Sequence, residues 1–160
     1  MTHCELCDSD GGLLLVKHEQ YRVIAVEGGD ALSYPGYCRV VWNQHVREMS
    51  DLSDDARMLL MNAVFRVESA LRLSLNPDKI NLASLGNMTP HLHWHVIPRR
   101  SNDPTFPNPV WAVKNAPLSA TSGLPVVTLG ALGTLGIAEK PADWQYAIRA
   151  AFNDGAGTPT

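Results

Sequence analysis

Several features are missing from this chain, and each absence narrows what it can be. No apolar run approaches the roughly 20 residues that cross a bilayer, so an association with membrane is not expected. The opening MTHCELCDSDGG lacks the basic stretch and apolar segment of a secretory leader, which makes the cytoplasm the expected compartment. There is no basic excess: 13 Lys and Arg stand against 16 Asp and Glu, the net charge is −3 and the pI is about 6.0. That balance argues against a nucleic-acid polymer as partner, because backbone binding needs a basic surface. A small phosphorylated ligand needs only a few local donors, and Arg99 and Arg100 could supply them. Cysteine is scarce and odd in number, with Cys4, Cys7 and Cys38 only. Such a count excludes the paired framework of small secreted domains, and the Cys-x-x-Cys pair fits a metal half-site or a redox pair instead. No internal repeat is visible, so a solenoid is not expected.

What remains is 160 residues with 45% hydrophobic content, enough for one domain around one core. Leu13 to Lys17 and Tyr21 to Glu27 read as a hairpin, and Tyr37 to Trp42 as a third strand. GGDALSYPG between them reads as a loop. Asp51 to Leu75 is the clearest helix. Ser53 is its expected N-cap, Leu60, Val64, Val67 and Leu71 form an apolar stripe, and Asn76-Pro77 stops it. Lys79 to Leu85 and His91 to Ile97 read as two more strands, the second ended by Pro98. A long Pro-rich loop follows to Pro117; with Trp111 it closes over a site, fills part of a dimer interface, or is a surface loop with one anchoring aromatic. Leu124 to Leu129 is expected to be a short strand and Pro141 to Phe152 a final helix.

The chemistry concentrates in PHLHWHVIP, residues 90 to 98. On a strand, alternate residues face one way, so His91, His93 and His95 are expected on one face with Leu92, Trp94 and Val96 toward the core. Imidazole titrates near neutrality. Its neutral form can attack phosphorus and form a covalent phosphoramidate, or it can ligate a metal.

The stretch NLASLGNMTPHLHWHVIPRR resembles the signature of the histidine-triad (HIT) family, His-x-His-x-His followed by apolar residues. The spacing of Asn81, Gly86-Asn87 and His91 is also similar, although the family usually has Gly-Gln where this chain has Gly86-Asn87, an amide one methylene shorter. The resemblance implies an α+β fold: an antiparallel sheet of about five strands with one long helix and a C-terminal helix, paired as a homodimer. The resemblance runs from Cys4 to about Trp111, so a HIT-like domain is expected over residues 1–115; residues 116–160 match no recognised pattern and are expected as an extension packed on that domain or on a partner copy. The resemblance implies a nucleotide hydrolase or nucleotidyl transferase acting at the α-phosphate, on dinucleoside polyphosphates or nucleoside phosphoramidates. His93 would be the nucleophile, His95 a donor to the phosphate, and His91 the third catalytic histidine. Asn81, Gly86 and Asn87 would complete the nucleotide site. No organic cofactor is implied. Some family members and their relatives hold a structural zinc through two cysteines, a mid-chain histidine and a triad histidine; Cys4, Cys7, His45 and His91 match that order.

Two other functions compete with this one. A metallohydrolase could bind a catalytic metal through all three histidines, although ligands on one strand converge poorly. A non-catalytic nucleotide-binding protein would keep the same pocket without turnover. His3 and His18 read as surface residues, and Cys38 as a small buried hydrophobe.

Overall fold

A computed structural model describes residues 3–115 and 143–153. The short helix α1 (Glu5–Asp8) leads into the hairpin β1 (Leu13–Lys17) and β2 (Tyr21–Ala25). A one-turn helix α2 (Gly29–Ser33) precedes β3 (Cys38–Trp42), and the long helix α3 (Asp54–Leu75) precedes β4 (Lys79–Ser84) and β5 (His93–Arg99). The last helix is α4 (Trp144–Asn153). The expected strand at Leu124 to Leu129 lies outside the described residues.

The five strands form one sheet in the order β1-β2-β3-β5-β4, with every neighbouring pair antiparallel. The α+β architecture expected from the sequence is the one observed. Because β5 inserts between β3 and β4, its histidines lie on an interior strand, one in from the β4 edge.

Alternation along the strands divides the sheet into two unlike faces. One face carries Val23, Val40 and Val96, all fully buried beneath α3. Helix α3 forms because Leu60, Val64, Val67 and Leu71 recur at helical spacing and are themselves fully buried. Each such side chain contributes about 2 kcal/mol on leaving water. Ser53 caps the helix by accepting from the Ala56 N–H at 3.3 Å, and Asn76 ends it in a left-handed conformation before Pro77. Helix α4 adds Ile148 to the same core, with Trp144, Ala151 and Phe152 packed around it.

The second face carries Arg39, His93, His95, Ile97 and Arg99 on β3 and β5, with Asn81 opposite Ile97 on β4. Arg99 is buried there and pairs with Asp103 at 2.7 Å. It also donates to the Asn81 Oδ1 at 2.8 Å, to the Thr105 hydroxyl at 3.2 Å and to the Asn108 carbonyl at 2.9 Å. One guanidinium thus fastens the loop after β5 to the sheet, and Tyr34 closes over it by hydrogen-bonding Thr105 at 2.9 Å.

Most element ends fall within one to three residues of expectation, and three differences have a clear physical cause. Strand β5 starts at His93, not His91, because Leu92 is held outside the ladder proper by the Val46 carbonyl. Pro98 lies inside β5 instead of ending it. Strand β3 reaches only Val96, so at Pro98 the strand has a single neighbour and the missing N–H is tolerated. The loop GGDALSYPG contains α2, and its Gly36 takes φ +88° where a Cβ would collide with the Leu75 side chain.

The core account is checked at Leu71, which is fully buried where α3 crosses the sheet. Leu71→Ala should destabilise the fold by about 3 kcal/mol in urea titration, against under about 0.5 kcal/mol for the exposed Leu73→Ala.

Candidate functional site

The strand β5 sets two imidazoles side by side. His93 and His95 are both buried, and their ring centroids are 4.7 Å apart in an edge-on arrangement. His93 Nδ1 lies 2.6 Å from the carbonyl oxygen of His91. A carbonyl only accepts, so Nδ1 carries the hydrogen and Nε2 keeps its lone pair. No described hydrogen bond engages that Nε2, and it is not among the sealed polar atoms. His95 Nδ1 meets the Tyr37 hydroxyl at 2.6 Å, while its Nε2 is buried with no partner. Arg39 Nε, Trp42 Nε1 and Arg57 Nε are buried without partners as well; His95 Nε2 differs in belonging to the ring that stands edge-on to His93.

Burial lowers the pKa of both rings. For His95 it does most of the work, with His93 and Arg39 adding to it, and the value falls from 6.5 to about 3. For His93 burial is again the main cause; the bond to the His91 carbonyl opposes it, and Arg39 and His91 reinforce it. Both rings are therefore neutral at pH 7, the state in which an imidazole is a nucleophile. Arg39 enters this site because β3 pairs it directly with His95.

His91 takes no part in that pair of rings. Its Nε2 donates to the Trp42 carbonyl at 2.6 Å, which leaves Nδ1 as a lone pair facing two thiols. Cys4 Sγ is 3.4 Å and Cys7 Sγ 3.5 Å from that nitrogen, and Cys7 Sγ is 3.2 Å from His45 Nδ1. The four donor atoms of Cys4, Cys7, His45 and His91 lie within 4.8 Å of one another and could hold one metal ion. Tetrahedral coordination with ordinary Zn–S and Zn–N lengths puts sulfur and nitrogen ligands about 3.5 Å apart, close to these separations. Cys4 is the N-cap of helix α1 and Cys7 lies on it; Arg22, buried beneath, holds this segment by donating to the carbonyls of Leu6 at 2.7 Å and Asp10 at 3.1 Å.

Comparison with known proteins places this geometry. The HIT domain family matches residues 16–102. The chain belongs to the HIT family.

A histidine triad protein of Bradyrhizobium japonicum is similar to it in structure at a TM-score of 0.60 and 30% identity, over 72% of this chain and 82% of that one. A histidine triad (HIT) protein of Sinorhizobium meliloti superimposes at 0.60 with 26% identity, over 72% of this chain and 83% of that one. In sequence, an uncharacterized HIT-like protein of Saccharolobus solfataricus is 31% identical over 75 residues, 44% of this chain. The chain spans about half the length, 54%, of that curated relative.

Within this HIT domain the candidate residues fall into three groups. His93 and His95 stand together, whereas the His91 ring belongs with the thiols and only its carbonyl reaches His93. Asn81 stands on the same face, but its Oδ1 is taken by Arg99. Its amide N–H groups are left to offer. Gly86 and Asn87 line a cleft of about 460 Å³ with Arg47, Glu48 and Ser84. Ser84 ties this wall to the histidine strand by donating to the His93 carbonyl at 3.2 Å. Two residues that sequence reasoning missed, Tyr37 and Arg39, touch or face His95. They lie 58 and 56 residues from it, and only the β3–β5 register brings them together.

The depressed His95 value has a consequence for stability. In the unfolded chain His95 takes a proton near pH 6.5, and in the folded protein only near 3. The unfolded state binds more protons between those values, so stability is full above about pH 6.5 and falls as pH drops toward 3. Urea midpoints measured from pH 7 to 4 should decline, and His95→Gln should flatten part of that decline.

Proposed function

We propose that the protein is a nucleotide hydrolase or nucleotidyl transferase that works at the α-phosphate through a covalent nucleotidyl-histidine on His93. The observation that carries this reading is the 2.6 Å bond from His93 Nδ1 to the His91 carbonyl, which leaves Nε2 neutral and unpaired. Substrates of the expected class are dinucleoside polyphosphates and nucleoside phosphoramidates.

In the first step, His93 Nε2 forms a bond to phosphorus as the bond to the leaving group breaks, and the leaving group departs with that electron pair. The ring becomes positive, and the His91 carbonyl stabilises it through the Nδ1 hydrogen. His95 Nε2, the Asn81 amide and backbone N–H groups at Gly86 and Asn87 are the donors for the charged phosphoryl oxygens. Water then attacks phosphorus, loses a proton to solvent, and breaks the N–P bond; Nε2 recovers its lone pair and the nucleoside monophosphate leaves. A metallohydrolase using all three histidines finds no support. His91 Nε2 is bonded to the Trp42 carbonyl and its Nδ1 faces the Cys4 and Cys7 thiols, so it does not join His93 and His95 around one ion.

Cys4, Cys7, His45 and His91 would hold a structural zinc. The donor chemistry fits: two thiolates and two neutral imidazoles at tetrahedral spacing, with His91 kept neutral mainly by burial. The ion would supply cross-linking of α1 to the histidine segment, not chemistry at phosphorus. Two copies of the chain would pair as a homodimer, acting on a soluble nucleotide in the cytoplasm.

Turnover of a fluorogenic adenosine 5′-phosphoramidate tests the reading. His93→Ala should lose at least about 10³-fold in kcat/KM; equal rates in the two proteins would overturn it. Metal analysis of the purified protein should find about one zinc per chain, and Cys4→Ser should lower both zinc content and Tm. A protein with neither zinc nor a Tm response to chelator would remove the metal from the account.

A further inference from the structure

Beside the His93 ring, the buried Tyr37 hydroxyl meets His95 Nδ1. We infer that Tyr37 is a positioning residue: its hydroxyl donates to His95 Nδ1 and thereby fixes the ring hydrogen on Nε2, where a phosphoryl oxygen would be received.

The direction of the 2.6 Å bond follows from counting hydrogens. If His95 Nδ1 carried the hydrogen and donated to Tyr37, the phenol hydrogen would need an acceptor elsewhere. The Tyr37 hydroxyl has no other partner among the described hydrogen bonds, and Tyr37 is itself buried. That arrangement leaves two buried groups unsatisfied, the phenol hydrogen and the Nε2 lone pair. With Tyr37 as donor, only the Nε2 hydrogen lacks a partner. It stands beside the ring that attacks, in the place where substrate oxygen can satisfy it.

Arg39 favours the same direction. It pairs with His95 across β3 and β5, its guanidinium carbon is 5.9 Å from the Tyr37 ring centroid, and its buried Nε has no partner. It makes no ion pair among the described residues. An uncompensated cation near a phenol draws electron density from the oxygen and makes O–H a better donor. Burial raises the Tyr37 pKa and Arg39 pulls against it, so the hydrogen stays on the tyrosine but is polarised toward His95.

The two rings then hold opposite tautomers. His93, with its hydrogen on Nδ1, offers a lone pair; His95, with its hydrogen on Nε2, offers a donor. A site that must attack phosphorus and steady its oxygens needs both, and each tautomer is set by a different neighbour.

The inference rests on His95 serving as the phosphate donor proposed above, but the position of its hydrogen can be read without turnover. Nitrogen-15 NMR of histidine-labelled protein should give a bare Nδ1 and a protonated Nε2 for His95, assigned by signal loss in His95→Gln. In Tyr37→Phe the two nitrogens should move toward averaged values. With adenosine 5′-phosphoramidate, kcat of that variant should fall about tenfold or more while KM stays within about twofold. A wild-type His95 protonated on Nδ1 would overturn the assignment, and so would an unchanged tautomer or an unchanged kcat in Tyr37→Phe. If that variant does not fold, the wild-type spectrum alone decides the direction of the bond. A protonated Nε2 in a protein without nucleotide turnover would uphold the tautomer and overturn the function proposed above.

Discussion

The bond between the His93 ring and the His91 carbonyl fixes the chemistry of the whole site. An imidazole has two nitrogens and, when neutral, one hydrogen, so a single acceptor decides which nitrogen is free to react. Here the acceptor is backbone, 2.6 Å away, and it belongs to a residue clamped on both sides. His91 Nε2 is held by the Trp42 carbonyl, and Nδ1 faces Cys4 and Cys7. The cysteine–histidine cluster and the candidate nucleophile therefore share one residue. Whatever steadies the cluster steadies the carbonyl that orients His93.

The sheet separates stability from function. Its α3 face is apolar and fully buried at Val23, Val40 and Val96. The opposite face buries groups that would be costly anywhere else: Arg22, Arg99, His93 and His95. Arg22 and Arg99 are covered by carbonyls and carboxylate, and they hold the segments before β1 and after β5 against the sheet. His95 and the Arg39 paired with it are the exceptions, each with a buried nitrogen that the protein itself does not satisfy.

Much of this was legible from local pattern. The apolar spacing of Leu60, Val64, Val67 and Leu71 defines α3, with Ser53 and Asn76 marking its ends. Alternation in HLHWHVI gives a strand, and the His-x-His-x-His resemblance gives the family. The Cys4, Cys7, His45 and His91 quartet came together as the resemblance implied, across 87 residues of sequence between Cys4 and His91. Periodicity could not separate His91 from His93, because strand alternation continues through a residue that the Val46 contact holds outside the ladder. Nor could it give Arg99 its buried role: next to Arg100 it reads as surface charge, and its partners Asn81 and Asp103 are defined by strand pairing and loop closure. Tyr37 and Arg39 carried no signal at all, since their meaning depends on the register of β3 against β5.

The central claim is that one nitrogen, His93 Nε2, becomes bonded to phosphorus. Rapid quench of the protein with a nucleotide substrate, followed by peptide mass spectrometry under alkaline conditions that preserve phosphoramidates, measures this directly. The account predicts a nucleoside monophosphate mass increment on the peptide containing His93, localised to that residue and decaying with turnover. An adduct on His91 or His95, or turnover with no adduct at any quench time in a His93-dependent reaction, would contradict it.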